Sequence, residues 1–253
     1  MPASEHISEE LKQRVRNLES QVDAVTRELE AVTYSVSHDL RAPLRSIAGY
    51  CQVLREELSP TLGAEQRHYM DRIQESAGRL SRQIDALLEL SRAGRAELHL
   101  RDLDLTQQAL AVIEALRDRP ARVTVDVQPG MRVHADTRAM QIILQQLLHN
   151  AIKVSAARSE PRIAVTQQTR GDRVTICVAD NGVGFDPKYA DRLFAPFQRL
   201  HSEPALSGVG IGLALVQRLA ARHGGRTWAE SQPDAGAKFY VELPLDTRLA
   251  VSG

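Results

Sequence analysis

The 253 residues carry 32 Lys+Arg against 32 Asp+Glu, so the formal net charge is zero. That length suits one medium domain or two small ones, and the charge balance offers no global basic surface for nucleic acid or anionic membrane. Cys51 and Cys177 sit in no CxxC or Cys/His cluster, which argues against a disulfide framework or a zinc site and for a reducing, cytoplasmic setting. No apolar run approaches a membrane span, and the polar start from Met1 to Glu10 is not a signal peptide.

The first third reads as helix. Apolar residues fall at Ile7, Leu11, Leu18, Val22, Val25, Leu29, Val32 and Val36, and from Leu18 the steps alternate four and three. That heptad seam, flanked by charge, predicts a parallel dimeric coiled coil, the alternative being a long amphipathic helix packed on its own domain. The stripe continues at Leu40, Leu44, Ile47, Cys51, Leu54 and Leu58, where two successive steps of four interrupt the heptad as a stutter would. After the turn Ser59-Pro60-Thr61-Leu62-Gly63, a second stripe runs Met70, Ile73, Ala77, Leu80, Ile84, Leu87, Leu88 and ends near Gly94. Two such hairpins from a homodimer would form a four-helix bundle.

Beyond about Leu98 the texture becomes mixed. Helices are expected at 105–117, 137–154 and 213–223, with Asp136 or Thr137 as an N-cap and Gly224-Gly225 as a stop. Strands are expected at 122–127, 162–168, 173–179, 227–229 and 237–243, which predicts an α+β fold with one antiparallel sheet.

Four segments carry chemistry. In Ser37-His38-Asp39-Leu40-Arg41-Ala42-Pro43-Leu44, His38 lies about 200° around the helix from Val36 and Leu40, so it faces solvent if they face the bundle core. A solvent-facing imidazole keeps a nucleophilic lone pair, and Asp39 can hold the proton on the other nitrogen. Pro43 clashes with the carbonyl of Asp39, placing a bend at the histidine. By itself such a residue is more often a solvated surface histidine.

In Asp180-Asn181-Gly182-Val183-Gly184-Phe185, a carboxylate at a strand end can accept from an exocyclic amine such as adenine N6, and the glycines let backbone close around a flat ring. A calcium loop or an ordinary Asp-Asn-Gly turn reads equally well from this segment. Gly208, Gly210 and Gly212 alternate at the start of a helix and expose N–H groups for phosphates. The spacing is GxGxG, not the Rossmann GxGxxG, and no strand precedes it. On 145–153, Asn150 and Lys153 lie a turn apart and can offer an amide oxygen to Mg²⁺ and an ammonium to phosphate, or form a plain polar helix face.

Taken in chain order, the four segments resemble the histidine, asparagine and two glycine boxes of sensor histidine kinases. Leu193-Phe194-Ala195-Pro196-Phe197-Gln198-Arg199-Leu200 resembles the family's phenylalanine box, and 236–244 its closing strand. The histidine box and the Phe-Gln-Arg-Leu-His run look most like kinases attached to phytochrome or related sensor modules. The resemblance spans roughly 32–245 and implies a coiled-coil signalling helix (1–33), a dimerisation and histidine-phosphotransfer hairpin (34–97), and a sandwich ATP-binding domain (98–247) of the type shared with gyrase, Hsp90 and MutL. By motif position it implies His38 as phosphoacceptor and Asp39 as its base. It implies Asn150 as Mg²⁺ ligand, Lys153 as phosphate contact and Asp180 as adenine acceptor in a pocket lined by Gly182 and Gly184. Gly208, Gly210 and Gly212 would hold the phosphates of ATP, Arg199 would reach the γ-phosphate, and 186–207 would be a lid. The implied partners are a second copy, a response regulator receiver domain and an upstream sensor module lying outside this chain.

Two positions depart from the pattern. Gln146 stands where the family usually has a second asparagine, so an added methylene displaces the amide oxygen that would meet Mg²⁺. Ala42 stands four residues after His38, where many relatives carry Thr or Asn to position a dephosphorylating water. Two rival readings share parts of the pattern: a degenerate nucleotide-holding scaffold, supported by Gln146, and an ATPase of the gyrase or Hsp90 kind, opposed by a histidine box inside a helical hairpin.

Overall fold

A computed structural model describes residues 2–58, 62–94, 97–116, 122–198 and 209–245, in two compact units, Met1–Ser91 and Arg92–Gly253. The first unit is a helical hairpin of α1 (Pro2–Leu58) and α2 (Ala64–Ala93). Helix α1 runs through Pro43, which has no N–H to return to the carbonyl of Asp39. The helices meet along a narrow seam in which Ser37 and Cys51 of α1 and Ala77, Ile84 and Leu88 of α2 are buried. Ion pairs Arg41–Asp85 (2.5 Å) and Arg55–Asp71, with Gln74 Nε2 donating to Gln52 Oε1 at 3.2 Å, stitch the pair. Exposed pairs of this kind contribute at most about 1 kcal/mol each, so they fix register more than stability.

Within this single hairpin Val36 and Leu40 are 51% and 43% exposed, while Ser37 beside His38 is buried, so the expected bundle core requires a second hairpin to cover them. Ile47, Leu54 and Leu58 of α1 and Ile73 and Leu80 of α2 are exposed too. A helix carrying a wide apolar stripe presents two adjacent rows, and one partner helix covers only one of them.

The second unit contains β1 (Leu100–Asp104), α3 (Leu105–Ala115), β2 (Thr124–Val127), β3 (Arg132–Asp136), α4 (Thr137–Ser155), β4 (Arg162–Arg170) and β5 (Arg173–Asp180). A 3-10 turn (Pro187–Arg192), α5 (Gly212–Arg222), β6 (Arg226–Ser231) and β7 (Ala237–Pro244) complete it. The main sheet has the order β2-β4-β5-β7-β6, and β1 and β3 form a separate antiparallel pair. The expected single antiparallel sheet is thereby corrected on two counts. The second sheet is present, and β2 runs parallel to β4, because the chain returns through β3 and α4 before re-entering the sheet.

Burial alternates strictly along β5 and β7. Val174, Ile176, Val178 and Asp180 of one, and Ala237, Phe239, Val241 and Leu243 of the other, point under the helices. Helix α4 supplies the facing layer with Ala139, Met140, Ile143, Leu144, Leu147, Leu148, Ala151 and Ser155, a period of 3.6. Its N-cap is Asp136, whose Oδ1 accepts from Ala139 N at 2.8 Å while Oδ2 accepts from His99 N at 2.9 Å. Buried His223, at the end of α5, donates from Nδ1 to Leu219 O at 2.7 Å and accepts from Asp136 N at Nε2 at 3.1 Å. Burial holds its pKa below the ordinary value, so the ring is a neutral strut between α5 and the start of α4.

Candidate functional site

His38 is 73% exposed on α1, and its Nδ1 lies 3.3 Å from Asp39 Oδ1. That contact leaves Nε2 as the ring nitrogen Asp39 does not engage. The expected outward imidazole beside an acceptor is present, although the apolar neighbours used to orient it are themselves exposed.

The second group lies at the end of β5. Period-two alternation makes Asp180 the last inward-facing residue of its strand, so a carboxylate occupies the row otherwise filled by Val174, Ile176 and Val178. Asp180 is 8% exposed. Its Oδ1 accepts from Gly182 N at 2.8 Å, while no donor among the described residues reaches its buried Oδ2 with normal geometry. Burial pushes the carboxyl up to about 6, with the N–H groups of Gly182 and Ala237 pulling the other way. A buried oxygen with no donor is costly, and a ligand amine would supply the missing bond.

The glycines beside it are set by the protein's own backbone. A Cβ on Gly182 would lie 2.6 Å from Val154 O. At Gly184, with φ +62, a Cβ would lie 2.1 Å from Gln232 O. The β6–β7 turn therefore sits directly under the loop after β5. Ser231, unmarked in the sequence, joins the two: its Oγ accepts from Phe185 N at 2.9 Å and donates to Gly236 O at 2.6 Å.

On α4, Gln146, Asn150 and Lys153 share one half-buried flank, four and three residues apart. A Cβ on Gly212, the first residue of α5, would lie 2.5 Å from Gln146 Oε1, so the asparagine-box flank and the start of α5 adjoin. Ile211 at the N-cap of α5 provides no side-chain cap for the helix's first N–H groups, the kind of donors that suit an anion. Gly210, with φ +76, accepts from Phe197 N at 2.8 Å, and its missing Cβ makes room for Gln198 O. Of the expected lid, 187–192 forms the 3-10 turn and Phe194 is buried. Arg199 and Gly208 lie outside the described residues.

These residues fit a nucleotide: an acceptor without a described donor for a purine amine at one end, the start of α5 at the other, and the α4 flank of Gln146, Asn150 and Lys153 running from Gly212 towards Gly182. Among the described residues no group of three His, Cys, Asp or Glu side chains could hold a metal. A magnesium ion here would depend on amide oxygens of α4 and on phosphate oxygens, a donor set that suits a hard cation.

Residues 28–96 match the His Kinase A (phospho-acceptor) domain, and 135–247 match the histidine kinase-, DNA gyrase B- and HSP90-like ATPase family. The chain is 31% identical to the phytochrome-like protein Cph1 of Synechocystis sp. over 94% of its own length and 31% of that protein. It is 34% identical to the methanogenesis regulatory histidine kinase FilI of Methanothrix harundinacea, over 93% of this chain and 26% of that one. The chain thus spans about a third or less of these curated relatives. Among solved structures, full-length ShkA in complex with AMPPNP is similar at TM-score 0.60 and 30% identity, covering 84% of this chain and 45% of that one. The Acinetobacter baumannii protein AdeS has TM-score 0.58 at 20% identity, over 83% of this chain and 98% of that one, a likeness of fold.

Proposed function

Since the chain belongs to the sensor histidine kinases, we propose that it takes the γ-phosphoryl group of MgATP onto His38 and passes it to an aspartate of a response regulator receiver domain. The observation that carries this reading is the buried Asp180 Oδ2, which no donor among the described residues meets with normal geometry, at a glycine cradle in a chain that also presents an outward imidazole. ShkA, bound to AMPPNP, supports nucleotide in the same domain type.

In this mechanism Asp180 accepts from the adenine amine, and the first N–H groups of α5 with Lys153 neutralise the phosphates. Asn150 would hold Mg²⁺, which would supply neutralisation of phosphate charge. The Nε2 lone pair of His38 forms the N–P bond as the bond from the γ-phosphorus to the ADP oxygen breaks. Asp39 accepts the Nδ1 proton as positive charge develops on the ring. The protein's contribution is positioning and electrostatics rather than covalent chemistry of its own. Gln146, set against Gly212, would bring its longer amide towards the phosphates from the same flank as Asn150.

The exposed apolar rows of α1 and α2 support a homodimer in which a second hairpin covers Val36, Leu40, Ile47, Leu54, Ile73 and Leu80. The heptad before them supports a coiled coil that relays a signal from an upstream sensor module. No described helix is long and apolar enough to cross a membrane. Incubation with labelled MgATP tests the reading. Acid-labile, base-stable label that vanishes in His38→Gln is expected. Bound nucleotide without label would leave a scaffold, and phosphate release persisting in the variant would leave an ATPase.

A further inference from the structure

Arg158 belongs to no motif, yet its guanidinium reaches three backbone carbonyls. Nε donates to Asn181 O at 3.0 Å, and Nη2 donates to Gly182 O at 2.9 Å and to Asp234 O at 2.8 Å. The same nitrogen lies 3.6 Å from Asp234 Oδ1. A planar guanidinium directed mainly at carbonyls acts as a fixed template for backbone.

What it fixes is one peptide unit. The oxygen of the Asn181–Gly182 peptide accepts from Arg158, and the N–H of that peptide, on Gly182, donates to Asp180 Oδ1 at 2.8 Å. Because C=O and N–H point opposite ways across a trans peptide, the two bonds together set its rotation. Half a turn would aim the oxygen at the Asp180 carboxylate and the N–H at the guanidinium, two repulsive contacts. With glycine on one side, little else in the local backbone resists that rotation. The Asn181 side chain is occupied elsewhere, accepting from Arg162 N and donating to Glu160 O. The third carbonyl ties in the β6–β7 turn, where Asp234 holds φ +61 and donates its N–H to Val183 O at 2.8 Å.

We propose that Arg158 is a positioning residue for base selection: it holds the Asn181–Gly182 peptide so that Asp180 keeps Oδ1 for the protein and presents Oδ2 to the exocyclic amine of adenine. The inference rests on the purine-site reading above. Guanine places a carbonyl where adenine has that amine, so the carboxylate oxygen that attracts one repels the other. A loop free to rotate loses that discrimination without losing phosphate contacts at α5.

Affinities of the full chain for ATP, GTP and inorganic tripolyphosphate, measured by calorimetry with Mg²⁺, test it in Arg158→Ala and Arg158→Lys. Arg158→Ala is expected to weaken ATP about tenfold or more, the scale of a lost charged hydrogen bond. The ATP-to-GTP preference should collapse towards one while tripolyphosphate binding stays at the wild-type value. Arg158→Lys should fall between, since an ammonium cannot match the fork, and it decides the matter if the alanine variant does not fold. A melting temperature that drops while the ATP-to-GTP ratio stays at its wild-type value would overturn the proposal. Wild-type protein that binds tripolyphosphate but does not prefer ATP to GTP would overturn the purine-site reading, and the role of Arg158 with it.

Discussion

Replacing Asp180 by asparagine separates the cost of a buried charge from the benefit of a ligand contact. In the nucleotide-free chain the carboxyl titrates near 6 instead of its ordinary 3.8. The folded state therefore binds its proton more tightly than the unfolded state, and between those two values stability falls as pH rises. About two units at 1.36 kcal/mol each give a loss of roughly 3 kcal/mol in wild type by pH 8, an upper figure. The amide of Asp180→Asn does not ionise. Its oxygen can still accept from Gly182 N, but its nitrogen is left as a buried unpaired donor, at a cost of about 1–3 kcal/mol at every pH. The variant should then be the less stable protein at pH 4 and approach or pass wild type at pH 8. Urea unfolding followed by Trp228, the single tryptophan, reads the ATP-binding unit directly. ATP at a hundred times its Kd should add about 2.7 kcal/mol to wild type and nothing comparable to the variant. A stability difference that stays constant from pH 4 to pH 8 would refute the argument that desolvation raises this carboxyl.

Three further outcomes follow from the geometry. Gly184→Ala combines a positive φ with a Cβ 2.1 Å from Gln232 O, so a loss of about 3 kcal/mol or more is expected in urea unfolding. His223 is held neutral, with a pKa below the ordinary 6.5, so the stability it confers is complete above that value and drains as pH falls through the depressed one. His223→Ala should cost about 2–4 kcal/mol at pH 8 and flatten that acid limb, checked by denaturation from pH 5 to pH 8. Ala42 is exposed one turn after His38 and offers no hydrogen bond, so dephosphorylation of the partner regulator should be weak. Rapid loss of the regulator's phosphate on adding this protein with ADP, abolished in an Asn150 variant, would contradict that.

Local periodicity made most elements legible. The stripes of α1, α2 and α4 and the alternation of β4, β5 and β7 each repeat with the period of their own backbone. Direction and partner are not local properties. Nothing within 124–127 distinguishes a parallel from an antiparallel strand, and β1 and β3 were not expected, although burial alternates along β3. The same limit applies to α1, where the heptad marks apolar rows without saying which row α2 covers and which row a second hairpin would cover. In the candidate site, Asp180, Asn150, Gly210 and Gly212 could be singled out because the proposed nucleotide chemistry would restrict residue type at those positions. Ser231 and Arg158 were not, because their bonds run to main-chain atoms that every residue carries. One signal went unused: counting by twos from Val174 already places Asp180 on the core face.

Hairpin turns are ordinarily where a chain accepts inserted residues or a reporter group. The turn from Gln232 to Gly236 is an exception, because the carbonyls of Gln232 and Gly236 crowd Gly184 and the N–H of Asp234 donates to Val183 O, all in the loop that follows Asp180. A dye or affinity tag grafted there would report on its own damage. At Gly171 nothing lies within 4 Å of the Cβ position, and the tip between β4 and β5 is the better attachment point.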